Sequence, residues 1–231
     1  KGRAESPLVG RWGKAPYPKM LRYLFLEMFG LILTAPFYAD SEFAYAQDCP
    51  SRGFPRKTAK RKDAVSRPTF STESVNAMNF MTEAQAYEGE MRAFFEDLHR
   101  HPEPSHFEKR TNARVREQLA AHGIEMLCPA DNITIAVIHG ARPGKTIGMR
   151  FDTDALQLQE LCDVPYKSEQ DGLMHGCGHD AHTTCGVFVS RLLQAHREEI
   201  CGTYKVIFQP AEEGEHGADE VIATGLVNDV D

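Results

Sequence analysis

Thr203-Tyr204-Lys205-Val206-Ile207-Phe208-Gln209-Pro210-Ala211-Glu212-Glu213-Gly214 reads as a β-strand, Thr203 to Phe208, that runs directly into a pair of carboxylates. Residues at the ends of strands are where open α/β sheets place their chemistry. Adjacent side chains in an extended segment point opposite ways, so Glu212 and Glu213 can serve different partners. A Glu-Glu pair alone is ordinarily a solvated face, and its meaning depends on what stands around it.

Upstream of that strand, Ala181 to Glu198 reads as a helix with Val187, Phe188, Leu192 and Ala195 on one face, ended by Gly202. Before it, Thr146 to Phe151 and Ile133 to Ile138 read as strands, joined by a turning loop from Gly140 to Lys145 that contains Pro143-Gly144. Tyr87, Met91, Phe94, Phe95 and Leu98 recur at helical spacing until Pro102 stops that helix. Thr111 is expected to cap a second helix carrying Val115 and Leu119 and closed by Gly123. Gly217 to Thr224 suggests a last one. Helices and strands mix in α/β fashion with no internal repeat.

The 231 residues carry 26 Lys+Arg and 33 Asp+Glu, a net charge of −7. That balance argues against a general nucleic-acid binder or a binder of anionic membranes. The charge is split, with 13 basic and 6 acidic residues in 1–70 against 13 and 27 in 71–231, or +7 against −14. Residues 1–70 are rich in Pro, Arg, Lys and Ser and hold no persistent period, so they read as a basic, disordered or non-native leader. The longest uncharged apolar run, Met28 to Ala39, is 12 residues long, too short for a bilayer span. A cytoplasmic location is expected. The alternative is export, from the signal-like stretch after Met20 with Ala44-Tyr45-Ala46 as a cleavage-like site. The six cysteines are irregularly spaced without a C-x-x-C and are expected to be reduced thiols.

Met174-His175-Gly176-Cys177-Gly178-His179-Asp180-Ala181-His182 gathers three histidines, a cysteine and an aspartate just ahead of a helix. These are ligands of a transition metal, and Gly178 lets the backbone turn tightly between Cys177 and His179. Arg150-Phe151-Asp152-Thr153-Asp154-Ala155-Leu156 closes an adjacent strand, and either aspartate can orient a ligand from behind or cap a turn. No phosphate-binding glycine motif is present, and the P-C-x-x-C half of a zinc nucleobase deaminase signature is missing.

Taken in order, R-x-D-x-D-A-L, M-H-x-C-G-H-D-x-H-T and F-Q-P-A-E-E-G resemble the metal-dependent amidohydrolases of the aminoacylase/carboxypeptidase family. The nearest branch is that of hippurate hydrolases, N-acyl-amino-acid amidohydrolases and indole-acetyl-amino-acid hydrolases. Leu98-His99-Arg100-His101-Pro102-Glu103 and Gly123-Ile124 extend the likeness, which covers roughly residues 84–226. The resemblance implies a zinc-peptidase-like mixed sheet flanked by helices. It also implies that residues 71–231 form the N-terminal portion of the catalytic domain, without the satellite domain or the C-terminal half. It implies Cys177, His179 and Glu213 as metal ligands, Glu212 as general base, Asp152 as a residue supporting the site, and a small N-acyl amino acid as substrate. One or two divalent ions are implied, zinc or manganese first, cobalt or nickel also possible. Full-length relatives are expected to be homo-oligomers, with no nucleic-acid or membrane partner. Gln157 after D-A-L, Phe151 and His216 depart from the family's usual residues; His216 is read as a solvated loop histidine. The competing reading is a non-catalytic remnant, or a fragment that needs a partner chain.

Overall fold

The computed structural model describes residues 80–214 and 216–231. The basic leader, Cys49 and the signal-like segment lie outside the described residues. In chain order the elements are α1 (Phe80–Ala86), α2 (Glu88–Arg100), α3 (Lys109–Ala121), β1 (Glu125–Ala130), β2 (Ile133–His139), β3 (Arg142–Asp152), α4 (His179–Ala195), β4 (Cys201–Gln209) and α5 (Gly217–Ala223). The four strands form one mixed sheet in the order β1-β2-β4-β3. β2 is antiparallel to both β1 and β4, whereas β3 and β4 are parallel. Parallel neighbours need a crossover, and α4 supplies it.

β2 alternates across the sheet. Ala136 and Ile138 join Phe151, Val206 and Phe208 beneath α2, α3 and α4, while Ile133, Ile135 and Val137 meet Val221 of α5 on the other face. Burial on both faces explains why only Thr134 interrupts its apolar run from Ile133 to Ile138. α4 is buried along nearly its whole length, so its hydroxyls bond within the protein: Thr183 Oγ1 donates to the Asp152 carbonyl at 2.9 Å. Gly186 lets this helix lie close on the sheet. A Cβ there would stand 2.8 Å from Phe151 Cγ and 2.8 Å from Phe208 Cε1, both on buried rings. Gly186→Ala is therefore expected to destabilise the protein by about 1–3 kcal/mol through overpacking. The check is a lower urea midpoint with an unchanged slope.

Four local expectations are corrected. Thr111 is not a cap; it lies inside α3, whose first amides are taken instead by the Glu103 carboxylate, from Arg110 at 2.9 Å and Thr111 at 2.7 Å. The Gly140–Lys145 loop is shorter than expected, because β3 already begins at Arg142 and passes Pro143-Gly144 as an irregularity in its pairing with β4. α4 begins at His179 and ends at Ala195, two residues earlier and three residues short of the expected bounds. β1 was not expected at all: Pro129 interrupts it, and it survives because it is an exposed edge strand paired on one side.

Among the described residues the cysteines are all free, and no helix is long and apolar enough to cross a membrane.

Candidate metal centre

Parallel pairing of β3 with β4 places Asp152 opposite Gln209. The chain therefore leaves both strands at the same end of the sheet, as Thr153-Asp154 and as Pro210 to Glu213. α4 starts at that end too. Gly178, in the left-handed region at φ 80°, turns the chain between Cys177 and the first helical residue, His179. Three segments far apart in sequence thus converge.

Ligand atoms of Cys177, His179 and Glu213 all lie within 4.8 Å of one another. Behind them, Asp154 ties the parts together. His179 Nδ1 lies 2.9 Å from the Asp154 carbonyl oxygen and 3.1 Å from Asp154 Oδ1. With its proton on Nδ1, the ring presents Nε2 as a free donor for a cation, the arrangement that orients metal-binding histidines. Asp154 Oδ2 accepts the Glu213 amide at 2.9 Å and the Ser105 hydroxyl at 2.7 Å. Burial works against the Asp154 charge, but these hydrogen bonds and the His179 charge outweigh it and hold its pKa at about 2.

Asp152 sits one step aside. Its carboxylate lies 2.9 Å from Arg150 Nη1 and 3.2 Å from His182 Nδ1. Of the two aspartates, Asp154 makes the direct contacts to His179 and Glu213. Glu212 is partly exposed, with Oε2 3.9 Å from His179 Nε2. His216 is exposed, beside Asp219.

The donor set suits a divalent ion: one sulfur, one ring nitrogen already oriented from behind, and one carboxylate. Electrostatics agree. A hydrogen bond to Glu213, burial, and the charges of Glu213, Glu212 and Asp154 push the Cys177 thiol up to about 11. A thiol surrounded by carboxylates stays protonated without a cation, and a bound cation reverses that balance.

Sequence reasoning noticed His99 only as part of a motif. It is buried, with Nδ1 2.6 Å from Asp180 Oδ2 and Nε2 3.3 Å from Glu160 Oε1. Burial lowers its pKa, yet hydrogen bonds and charges of Asp180 and Glu160 raise it above the ordinary 6.5. This cluster joins α2 to the first turn of α4, next to His179. A signal was present: a His-Asp step opening a helix and a lone histidine in another apolar face both lack local partners.

Comparison with known proteins meets the same residues. Residues 148–231 match the model for peptidase family M20/M25/M40. An N-acetylcysteine deacetylase of Bacillus subtilis is 43% identical over 136 residues, 58% of this chain and 36% of that protein. A hippurate hydrolase of Campylobacter jejuni is 35% identical over 155 residues, covering 67% of this chain and 40% of the relative. An IAA-amino acid hydrolase of Arabidopsis thaliana is 37% identical over 133 residues, 58% of this chain and 30% of its own length. Among solved structures, a dinuclear metal binding M20 peptidase from Bacillus subtilis aligns with a TM-score of 0.61 at 40% identity, covering 63% of this chain and 42% of that one. The chain spans 30–40% of the length of the three curated relatives named. The mixed sheet flanked by helices is thus the M20 peptidase fold over the shared part.

Proposed function

We propose that this chain contributes the Cys177/His179/Glu213 centre and the base of a metal-dependent amidohydrolase that splits N-acyl amino acids into a carboxylic acid and an amino acid. The carrying observation is the convergence of those three ligand types within 4.8 Å, with Glu212 beside them. Cys177, His179 and Glu213 would hold the ion, one or two per site. Zinc suits the thiolate best, with manganese, cobalt and nickel as alternatives. When bound, a divalent ion acts as a Lewis acid toward the amide carbonyl and lowers the pKa of water.

The protein's own groups do the rest. Glu212, next in the chain to Glu213 and with Oε2 3.9 Å from His179 Nε2, takes a proton from the attacking water and returns it to the departing amine. Asp154 keeps the His179 ring in the tautomer that offers Nε2 and holds the Glu213 amide. Substrates named for the relatives, N-acetylcysteine, hippurate and indole-acetyl amino acids, set the class to try first.

Protein stripped with a chelator is expected to hydrolyse none of these substrates and to recover turnover with zinc or manganese. The same stripped protein titrated with Co²⁺ should develop thiolate-to-cobalt absorption that Cys177→Ser removes. Cobalt binding without turnover on any substrate or metal would favour the non-catalytic reading instead.

A further inference from the structure

Glu108 is the last residue before α3 and is completely buried, yet its side chain does not cap its own helix. Oε1 instead accepts two backbone amides, from His106 at 3.0 Å and from Ala211 at 2.8 Å, the latter 103 residues away. Oε2 has no hydrogen-bond partner among the described residues. Among the described residues no Lys or Arg is paired with it; burial raises its pKa, and the charge of Asp154 adds to that rise. A buried carboxyl group without a cation is costly, so a residue of this kind is a poor choice for packing alone.

What it holds is the turn that carries Glu212 and Glu213. Ala211 is buried and sits in the left-handed region at φ 49°, a strained conformation for a residue with a Cβ. The turn is pinned at three places. The Gln209 carbonyl accepts the Thr153 amide at 3.1 Å and its hydroxyl at 2.9 Å. The Ala211 amide goes to Glu108 and the Glu213 amide to Asp154. Of these three, only the Glu108 bond lies at the strained residue itself, one position before Glu212.

We propose that Glu108 is a positioning residue: its carboxyl group fixes Ala211 and so sets where Glu212 and Glu213 stand. The inference rests on the reading of Glu213 as a metal ligand. It predicts that an acceptor at this place is what matters. Glu108→Gln keeps the Oε1 acceptor; Glu108→Met fills similar volume and loses it.

The test is Co²⁺ titration of the full chain, followed by absorbance, for wild type, Glu108→Gln, Glu108→Met, Glu213→Gln and the double variant Glu108→Met/Glu213→Gln. Glu108→Met is expected to weaken Co²⁺ binding about 10–100-fold, as loss of a residue supporting a ligand does. The thiolate-to-cobalt band should persist, and Glu108→Gln should restore the affinity. In the Glu213→Gln background the Met substitution should cost little more, because two changes acting through one ligand are not additive. Wild-type affinity in Glu108→Met, or an equal loss in both backgrounds, overturns the inference and leaves the metal reading standing. Absence of any cobalt absorption in folded wild type overturns the metal reading, and the inference with it. Folding is followed by circular dichroism; if the Met variants do not fold, Glu108→Asp, whose carboxyl falls short by about one C–C bond of 1.5 Å, is read by the same cycle.

Discussion

Glu212→Gln is expected to lower amide hydrolysis about 10²–10⁴-fold, the usual contribution of a general base. Cobalt affinity should change little, because Glu213, and not Glu212, lies in the cluster of ligand atoms. Gln keeps the shape of the side chain but cannot take a proton at neutral pH. On the proposed role of Glu212 as base, the loss should fall on kcat, because the proposed ion-holding residues Cys177, His179 and Glu213 are unchanged in this variant. Its carboxylate is placed for this: Oε2 is 3.9 Å from His179 Nε2, beside the cluster, and the side chain is 39% exposed, so water reaches it. Steady-state kinetics on the metal-loaded protein decide the matter. Activity within about tenfold of wild type would assign the base to another group.

His99→Ala is expected to cost about 3–5 kcal/mol of stability, the range for removing one partner from a buried ion pair. The imidazole stands between two carboxylates that are themselves almost wholly buried, Asp180 at 1% and Glu160 at 2% exposure. Without the ring the two buried carboxylates lose the cation that stands between them. Glu160 would still accept the Ser168 amide at 2.7 Å, and Asp180 the Ala181 amide at 2.8 Å. Those bonds do not replace a cation.

The pH dependence has a definite sign. Because the folded pKa of His99 lies above the ordinary 6.5, its stabilisation is complete below 6.5 and is lost as pH rises through the higher folded value. Urea midpoints measured from pH 6 upward should fall in wild type, while His99→Ala lacks this component. A variant as stable as wild type, with the same pH profile, would remove His99 from the account.

Much of this was legible in the linear chain. Ile133 to Ile138 and Thr203 to Phe208 are strands because β-branched and aromatic residues follow one another there. α2 is read from the helical recurrence of Met91, Phe94, Phe95 and Leu98, and each of these residues is buried. Such patterns are local, and so is the chemistry of Cys177, His179, Glu212 and Glu213, whose residue types announce themselves. β1 was hidden because Pro129 argues against a strand, and only its place at the sheet edge makes Pro129 harmless. Thr111 looked like a cap because Thr is a capping residue. The Glu103 carboxylate reached the helix amides first, by a route set by the loop between α2 and α3.

The sequence by itself determined the α/β class, most of the helices and strands, the three motif segments and the kinds of ligand they carry. Tertiary structure alone decided how those segments meet. Parallel register sets Asp152 against Gln209, and this brings Asp154 to the Glu213 amide across 59 residues. That register, and not the spacing within R-F-D-T-D, selects Asp154 over Asp152 as the residue in contact with His179. Glu108 shows the same limit, since nothing near it in the chain reveals that its partner is Ala211. The physical reason is that periodicity and residue type act over a few neighbours, whereas strand register and the pairing of buried polar groups are fixed by packing of the whole sheet beneath α4.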